Sequence, residues 1–229
     1  MAKVITVWGC PNSGKTTLAV NLACAYEEAN YTVGVISAAD YGELQTHFGV
    51  TVPNDKGLYK ALTDVHQSIR NIYTLTGKKK SIFLLSAPDE IDSFVLSVID
   101  REQTDRAVHA AADSFDIVII DADSSKNNPM TGSSIIKADT IIVPVKNTAS
   151  WLLWYKANRR LLDSIAPKAK YANYANRATE DVTDLQYIAK MPYVPEAEEL
   201  HTEGSQIYYG RSRAAKEYMR KCDELIKNL

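Results

Sequence analysis

The chain has 229 residues, 45% of them hydrophobic, with a formal net charge of −2. That length and composition are enough for one large α/β domain over residues 1–229 with a core that needs no staples. The near-neutral balance argues against an overall electrostatic footprint for nucleic acid. Cys10, Cys24 and Cys222 show no CxxC spacing and no companion histidine cluster, which argues against a disulfide framework or a zinc site and for a reducing, cytoplasmic setting.

The start, Met1-Ala2-Lys3-Val4, runs straight into an apolar strand pattern, and no stretch approaches the ~18 apolar residues of a membrane span. Strands are predicted over 4–8, 32–37, 82–86, 117–120, 140–145, 171–175 and 191–194. Helices are predicted between them over 15–29, 91–113, 149–165 and 211–228. The runs Ile117-Val118-Ile119-Ile120 and Ile141-Ile142-Val143 are continuously apolar, as strands covered on both faces require. The alternation reads as a doubly wound α/β fold, with a mostly parallel sheet, helices on both faces and ligands at the carboxyl ends of the strands. Lys78-Lys79-Lys80 after Gly77 reads as a solvated hairpin turn rather than a binding patch.

Directly after the first strand stands Gly9-Cys10-Pro11-Asn12-Ser13-Gly14-Lys15-Thr16-Thr17, followed by a helical run. This is GxxxxGK[ST] in its required strand–loop–helix setting, the P-loop or Walker A motif. The glycines let backbone N–H groups turn toward phosphate oxygens, and the helix N-terminus adds the positive end of its dipole. Lys15 is expected to reach the β- and γ-phosphates, and the Thr16 hydroxyl to ligate Mg²⁺. The spacing therefore predicts a site for the phosphates of a nucleotide with Mg²⁺. Asp121, at the end of a buried strand, suits the carboxylate that holds Mg²⁺ through water. Asp40, after the second strand, is placed to orient a water or touch the metal shell. Asp123 reads as a solvated loop carboxylate, and the four histidines, His47, His66, His109 and His201, form no recognisable constellation.

These segments resemble the MinD/ParA group of P-loop ATPases, and within it the TadZ/CpaE-like pilus-assembly proteins. The resemblance rests on the P-loop, on 33–40 and on 116–121, with weaker echoes at 57–62 and 83–88. It implies that Asp40 is the aspartate needed for hydrolysis and that Asn176, in the Asn176-Arg177 pair, contacts adenine, although Asn173 offers a second register. It also implies a homodimer and a protein partner in a pilus, secretion or partition system. Two departures stand out. The group usually has a lysine five residues before the P-loop Lys15, reaching a partner's nucleotide, where this chain has Cys10; and Ala38 is non-acidic two residues before Asp40. Without that crossing charge, slow ATP hydrolysis is expected. Cys10 itself reads as a small packing residue rather than a reactive thiol.

The predicted helix 149–165 opens with Ala149-Ser150-Trp151-Leu152-Leu153-Trp154-Tyr155, which wraps apolar surface most of the way round. A partner-binding face and a helix buried on two sides explain it equally well. Lys156, Arg159, Arg160, Lys168 and Lys170 read as a solvated face more than as a DNA contact. The C-terminal stripe Ala214, Ala215, Tyr218, Met219, Cys222, Leu225, Ile226 and Leu229 has a mixed-charge polar side, which favours packing on the domain over peripheral membrane contact. The expectation is a nucleotide-dependent localisation or assembly factor. A ParA-like partition ATPase that binds DNA, or a P-loop small-molecule kinase or ligase, is the alternative.

Overall fold

The computed structural model describes residues 2–39, 41–63, 73–88, 99–174 and 185–229. Its elements are β1 (Lys3–Val7), α1 (Lys15–Glu28), β2 (Val33–Ser37), α2 (Glu43–Phe48), α3 (Gly57–Thr63), β3 (Thr74–Thr76) and β4 (Ile82–Leu85). There follow α4 (Arg101–Ser114), β5 (Ile117–Asp121), α5 (Pro129–Lys137), β6 (Thr140–Val145), α6 (Ala149–Ser164), β7 (Ala169–Tyr174), β8 (Tyr187–Met191), α7 (Ala197–Thr202) and α8 (Arg213–Asn228). The strands form one eight-stranded sheet in the order β3-β4-β2-β5-β1-β6-β7-β8, parallel except for β3 against β4. Doubly wound and mostly parallel, it is the fold class the alternation predicts.

Burial on both faces explains the apolar runs. Along β5, Ile117 and Ile119 face the layer built by α1, α2 and α8, whereas Val118 and Ile120 face the layer of α3 and α4. Along β6, Ile142 joins the first layer, and Ile141, Val143 and Val145 pack with α5 and α6. Helix α1 is buried at every residue from Leu18 to Glu27, held between the sheet and α8. The C-terminal stripe is seated as expected: Ala215, Tyr218, Cys222 and Leu225 are all buried in that layer.

Some boundaries move for local reasons. The predicted strand 191–194 is instead β8, Tyr187–Met191, because Pro192 has no N–H to extend the ladder. Strand β3, with only three residues, was not foreseen; it pairs antiparallel with β4, and the turn between them carries the three lysines, as a hairpin should. The predicted helix 91–113 does not run unbroken, since Asp100 is an extended N-cap whose carboxylate accepts from Gln103 N, so α4 begins at Arg101. Its first residues, 91–98, lie outside the described residues. The short helices α2, α3, α5 and α7 have too few turns to show a periodic stripe.

One buried carboxylate ties the far end of α1 to the rest. Glu27 is fully buried and accepts from Lys78 N at 2.9 Å, Ser81 N at 3.1 Å and the Tyr209 hydroxyl at 3.0 Å. Replacing it with alanine would strand several buried donors at once. Glu27→Ala is expected to lower unfolding free energy by about 3 kcal/mol, and Glu27→Gln by less, in urea titrations followed by circular dichroism.

Candidate functional site

The site begins where β1 ends. Trp8 N donates to Ile142 O, and Gly9 lies against Pro144, so the turn from Gly9 to Gly14 rests on the carboxyl end of β6. Gly14 caps α1 in the left-handed region (φ 91°), with the Tyr174 ring 3.4 Å from where its Cβ would stand; glycine alone fits there. Pro11 and Asn12 are exposed, whereas Cys10 and Ser13 are buried. Cys10 packs in the layer with Trp8, Ala122 and Trp151. Burial pushes its thiol pKa up, against the pull of Lys15 and Lys146, which agrees with a packing role.

Past Gly14 the polar side chains converge. Thr16 Oγ1 donates to Asp121 Oδ2 at 2.7 Å, and Lys15 Nζ donates to Ser124 Oγ at 2.8 Å and to Cys10 O at 3.3 Å. The parallel register Val7↔Asp121 sets the carboxylate beside the turn. Asp121 is buried, and its Oδ1 has no partner among the described residues. Its pKa is raised to about 7, chiefly by burial, with Thr16 and Lys15 pulling it down and Glu43 and Asp123 pushing it up. Burial likewise lowers the Lys15 pKa. A cavity of about 730 Å³ opens over these groups, with Thr16, Thr17, Asp121 and Asp123 in its wall. Asp123 is thus partly exposed but faces the cavity. Ala38 is buried, and its N–H donates to Asp121 O. Asp40, Asn176 and Arg177 lie outside the described residues. Asn173, the second register for the adenine contact, is buried on β7.

Three features went unread in the sequence. Lys146, just past the buried strand β6, donates its ammonium to the Asn12 carbonyl and lines the same cavity as Lys15; a lysine straight after a strand's carboxyl end was the available signal. Ser124 was likewise passed over as a partner for Lys15. The histidines are not all scattered: His47 and His201 pack against each other with ring centroids 4.1 Å apart at the cavity wall. Of the two readings of the aromatic helix, burial accounts for most. Trp151 is buried and donates Nε1–H to Pro144 O, Trp154 packs edge-on to Trp8, and Leu153 projects outward at 67% exposure. In the nearby basic group, Arg159 is paired with Asp163 and Lys168 with the Ala138 carbonyl.

A strand, a glycine-bounded turn and a helix, with a lysine, a threonine and a strand-end aspartate drawn together, define a P-loop nucleotide site in an α/β protein. An AAA domain family model matches residues 3–153, and the chain belongs to that family. Its fold is that of the MinD/ParA P-loop ATPases. It is similar to the septum site-determining protein MinD complexed with Mg-ADP from Pyrococcus horikoshii OT3, with a TM-score of 0.82, 19% identity and coverage of 100% of this chain and 97% of that one. It is similar to a ParA family ATPase from Chlorobium tepidum TLS, with a TM-score of 0.80, 15% identity and coverage of 96% and 98%. A plasmid partition protein from Borrelia burgdorferi B31 bound to AMPPNP gives a TM-score of 0.77 at 13% identity, with both chains covered in full. No curated protein matches the chain in sequence. Among the described residues, no helix is long and apolar enough to cross a membrane.

The Asp121 carboxyl gives a pH signature in metal-free protein. Because its folded-state pKa is raised, the stability it contributes is present below the ordinary carboxylate range and is lost as pH rises through about 7. In EDTA, the stability of the wild type is expected to fall by a few kcal/mol between about pH 5 and pH 8 relative to Asp121→Asn, seen as a falling melting temperature. Parallel melting curves for the two proteins would contradict this.

Proposed function

We propose that the chain binds ATP and ADP with Mg²⁺ and works as a nucleotide-dependent switch. The observation that carries the reading is the Thr16–Asp121 pair at the mouth of a glycine-bounded turn, with Asp121 Oδ1 buried and unpartnered among the described residues. A hydroxyl and a carboxylate side by side are the oxygen donors a hydrated Mg²⁺ takes. The Ser13 hydroxyl is also buried without a partner among the described residues, as a cradle for phosphate oxygens would leave it. When bound, Mg²⁺ neutralises phosphate charge. Lys15 would exchange its neutral partners, Ser124 Oγ and Cys10 O, for phosphate oxygens, and Gly14 to Thr17 would offer backbone N–H groups at the start of α1. Lys146 would add a second cation from within the same chain. A smaller cavity of about 170 Å³, bordered by Gly14, Thr17, Tyr174, Pro192 and Tyr193, lies beside the phosphate turn and suits a planar base. Asn176 and Arg177 would complete that side, and Asp40 would orient the attacking water.

Hydrolysis in this reading is slow. Cys10 brings no charge to the place where the MinD/ParA group carries its crossing lysine, and negative charge developing in phosphoryl transfer is answered by fewer cations. We infer that the chain, as one domain over 1–229, acts in the cytoplasm as a localisation or assembly factor of the TadZ/CpaE kind. It would form a nucleotide-dependent homodimer and engage a protein partner of a pilus, secretion or partition system.

Calorimetry with ATP and phosphate-release assays test this directly. Binding is expected to require Mg²⁺, to weaken by roughly 100-fold in Lys15→Ala and by roughly 10-fold in Lys146→Gln. Turnover is expected to be low in the wild type and to rise in Cys10→Lys. Rapid wild-type turnover would overturn the slow-switch part, and no nucleotide binding in any of these proteins would sink the reading as a whole.

A further inference from the structure

The joint between α2 and α7 is built unlike a simple packing contact. Helix α2 starts three residues after Asp40, and α7 starts five residues after Pro192, which borders the smaller cavity; the joint therefore links the two sides of the nucleotide cleft. At its C-terminal end, Gly49 and Gly204 meet backbone to backbone, with both residues in the left-handed region (φ 62° and 67°) and no room for a Cβ on Gly204. Gln206 Nε2 donates to His47 O at 2.9 Å and to Gly204 O at 3.1 Å, stitching the two segments. Above this seam the imidazoles of His47 and His201 are in contact, inclined by 53°, with centroids 4.1 Å apart. His47 Nδ1 and His201 Nε2 are buried, and neither has a hydrogen-bond partner among the described residues.

We propose that the His47–His201 pair is a proton-operated latch: neutral, it holds α2 against α7 and closes the wall of the nucleotide cavity; protonated, it releases α2 and weakens nucleotide binding.

The geometry sets the sign. Two neutral rings pack in contact, but an imidazolium there loses hydration, and His47 Nδ1 and His201 Nε2 have no hydrogen-bond partner among the described residues to offset that loss. The charged groups that share the cavity are Glu43 on α2 itself, Glu198 on α7, Asp121 at the end of β5, Asp123 just past it, and the cations Lys15 and Lys146. Glu43 pulls the His201 pKa up, yet burial outweighs it and the pKa ends below the ordinary value. The His47 pKa falls to about 4, through burial first and His201 second. With the folded-state value depressed, the closed joint is at full strength above pH 6.5 and weakens as pH falls toward about 4. If the open joint gives His47 its ordinary pKa, opening rises about tenfold between about pH 7.5 and pH 5.5.

Two measurements on the full chain test this, and only the second rests on the nucleotide reading. Amide hydrogen exchange over α2 and α7, corrected for intrinsic rates, is expected to lose about tenfold in protection between about pH 7.5 and pH 5.5 in the wild type. It should lose little in His47→Phe/His201→Phe, which keeps two packed rings without a proton site; His201→Phe alone serves where the double variant folds poorly. Equal pH dependence in wild type and variant overturns the latch. Mg-ADP affinity is then expected to fall with acid several-fold more in the wild type than in the variant. Parallel affinity curves would overturn the coupling to the cavity. Absence of binding at neutral pH would instead count against the proposed function, and the exchange result would still decide the latch.

Discussion

The hydrogen bond from Thr16 to Asp121 joins the first turn of α1 to the carboxyl end of β5, and the architecture serves to make that meeting possible. β5 lies beside β1 in parallel register, so the residue after the apolar run Ile117–Ile120 arrives level with the phosphate turn. The same register is available only because both faces of β5 are covered and nothing polar interrupts it before Asp121. A carboxylate buried in this way is strained toward its neutral form until a cation reaches it. Burial, which raises the Asp121 pKa to about 7, is the first cause of that.

Charge around the cleft is arranged in opposition. Lys15 and Lys146 approach the phosphate turn, each holding a backbone carbonyl of that turn, Cys10 O and Asn12 O. The acidic groups Glu43, Asp121, Asp123 and Glu198 line the same cavity, with Asp121 bonded to Thr16 beside Lys15. An anionic chain laid along the turn would meet both lysines, and a divalent cation would screen it from the carboxylates. The cysteine at position 10 belongs to a different economy. It fills space among Trp8, Ala122 and Trp151, so the interior behind the turn is apolar where a longer, charged side chain would have had to turn outward.

How much of this could be read in advance follows from how local each feature is. The turn 9–17 and Asp121 were legible because strand, glycines, lysine and strand-end acid are all set by short-range rules. The aromatic helix was legible as apolar but not as to which side wins: only the edge-on contact of Trp154 with Trp8 and the Trp151–Pro144 bond reveal it. Lys146 and Ser124 were invisible as site residues because their partners lie more than a hundred positions away in sequence. The His47–His201 contact joins residues from two six-residue helices, neither long enough to announce itself by periodicity. β8 was misplaced because Met191-Pro192-Tyr193-Val194 looks extended, whereas a ladder needs donors that proline lacks.

Helix α1 is also a mechanical part. Its fourteen residues span ~20 Å, and its middle is clamped on every side, so it has no flank along which to bend or fray. It behaves as a rod under load. Lys15 and Thr16 stand at one end, and at the other Glu27 grips the β3–β4 hairpin and Tyr209. The phosphate turn and a lysine-bearing hairpin on the far side of the sheet's edge are thus two ends of one buried helix.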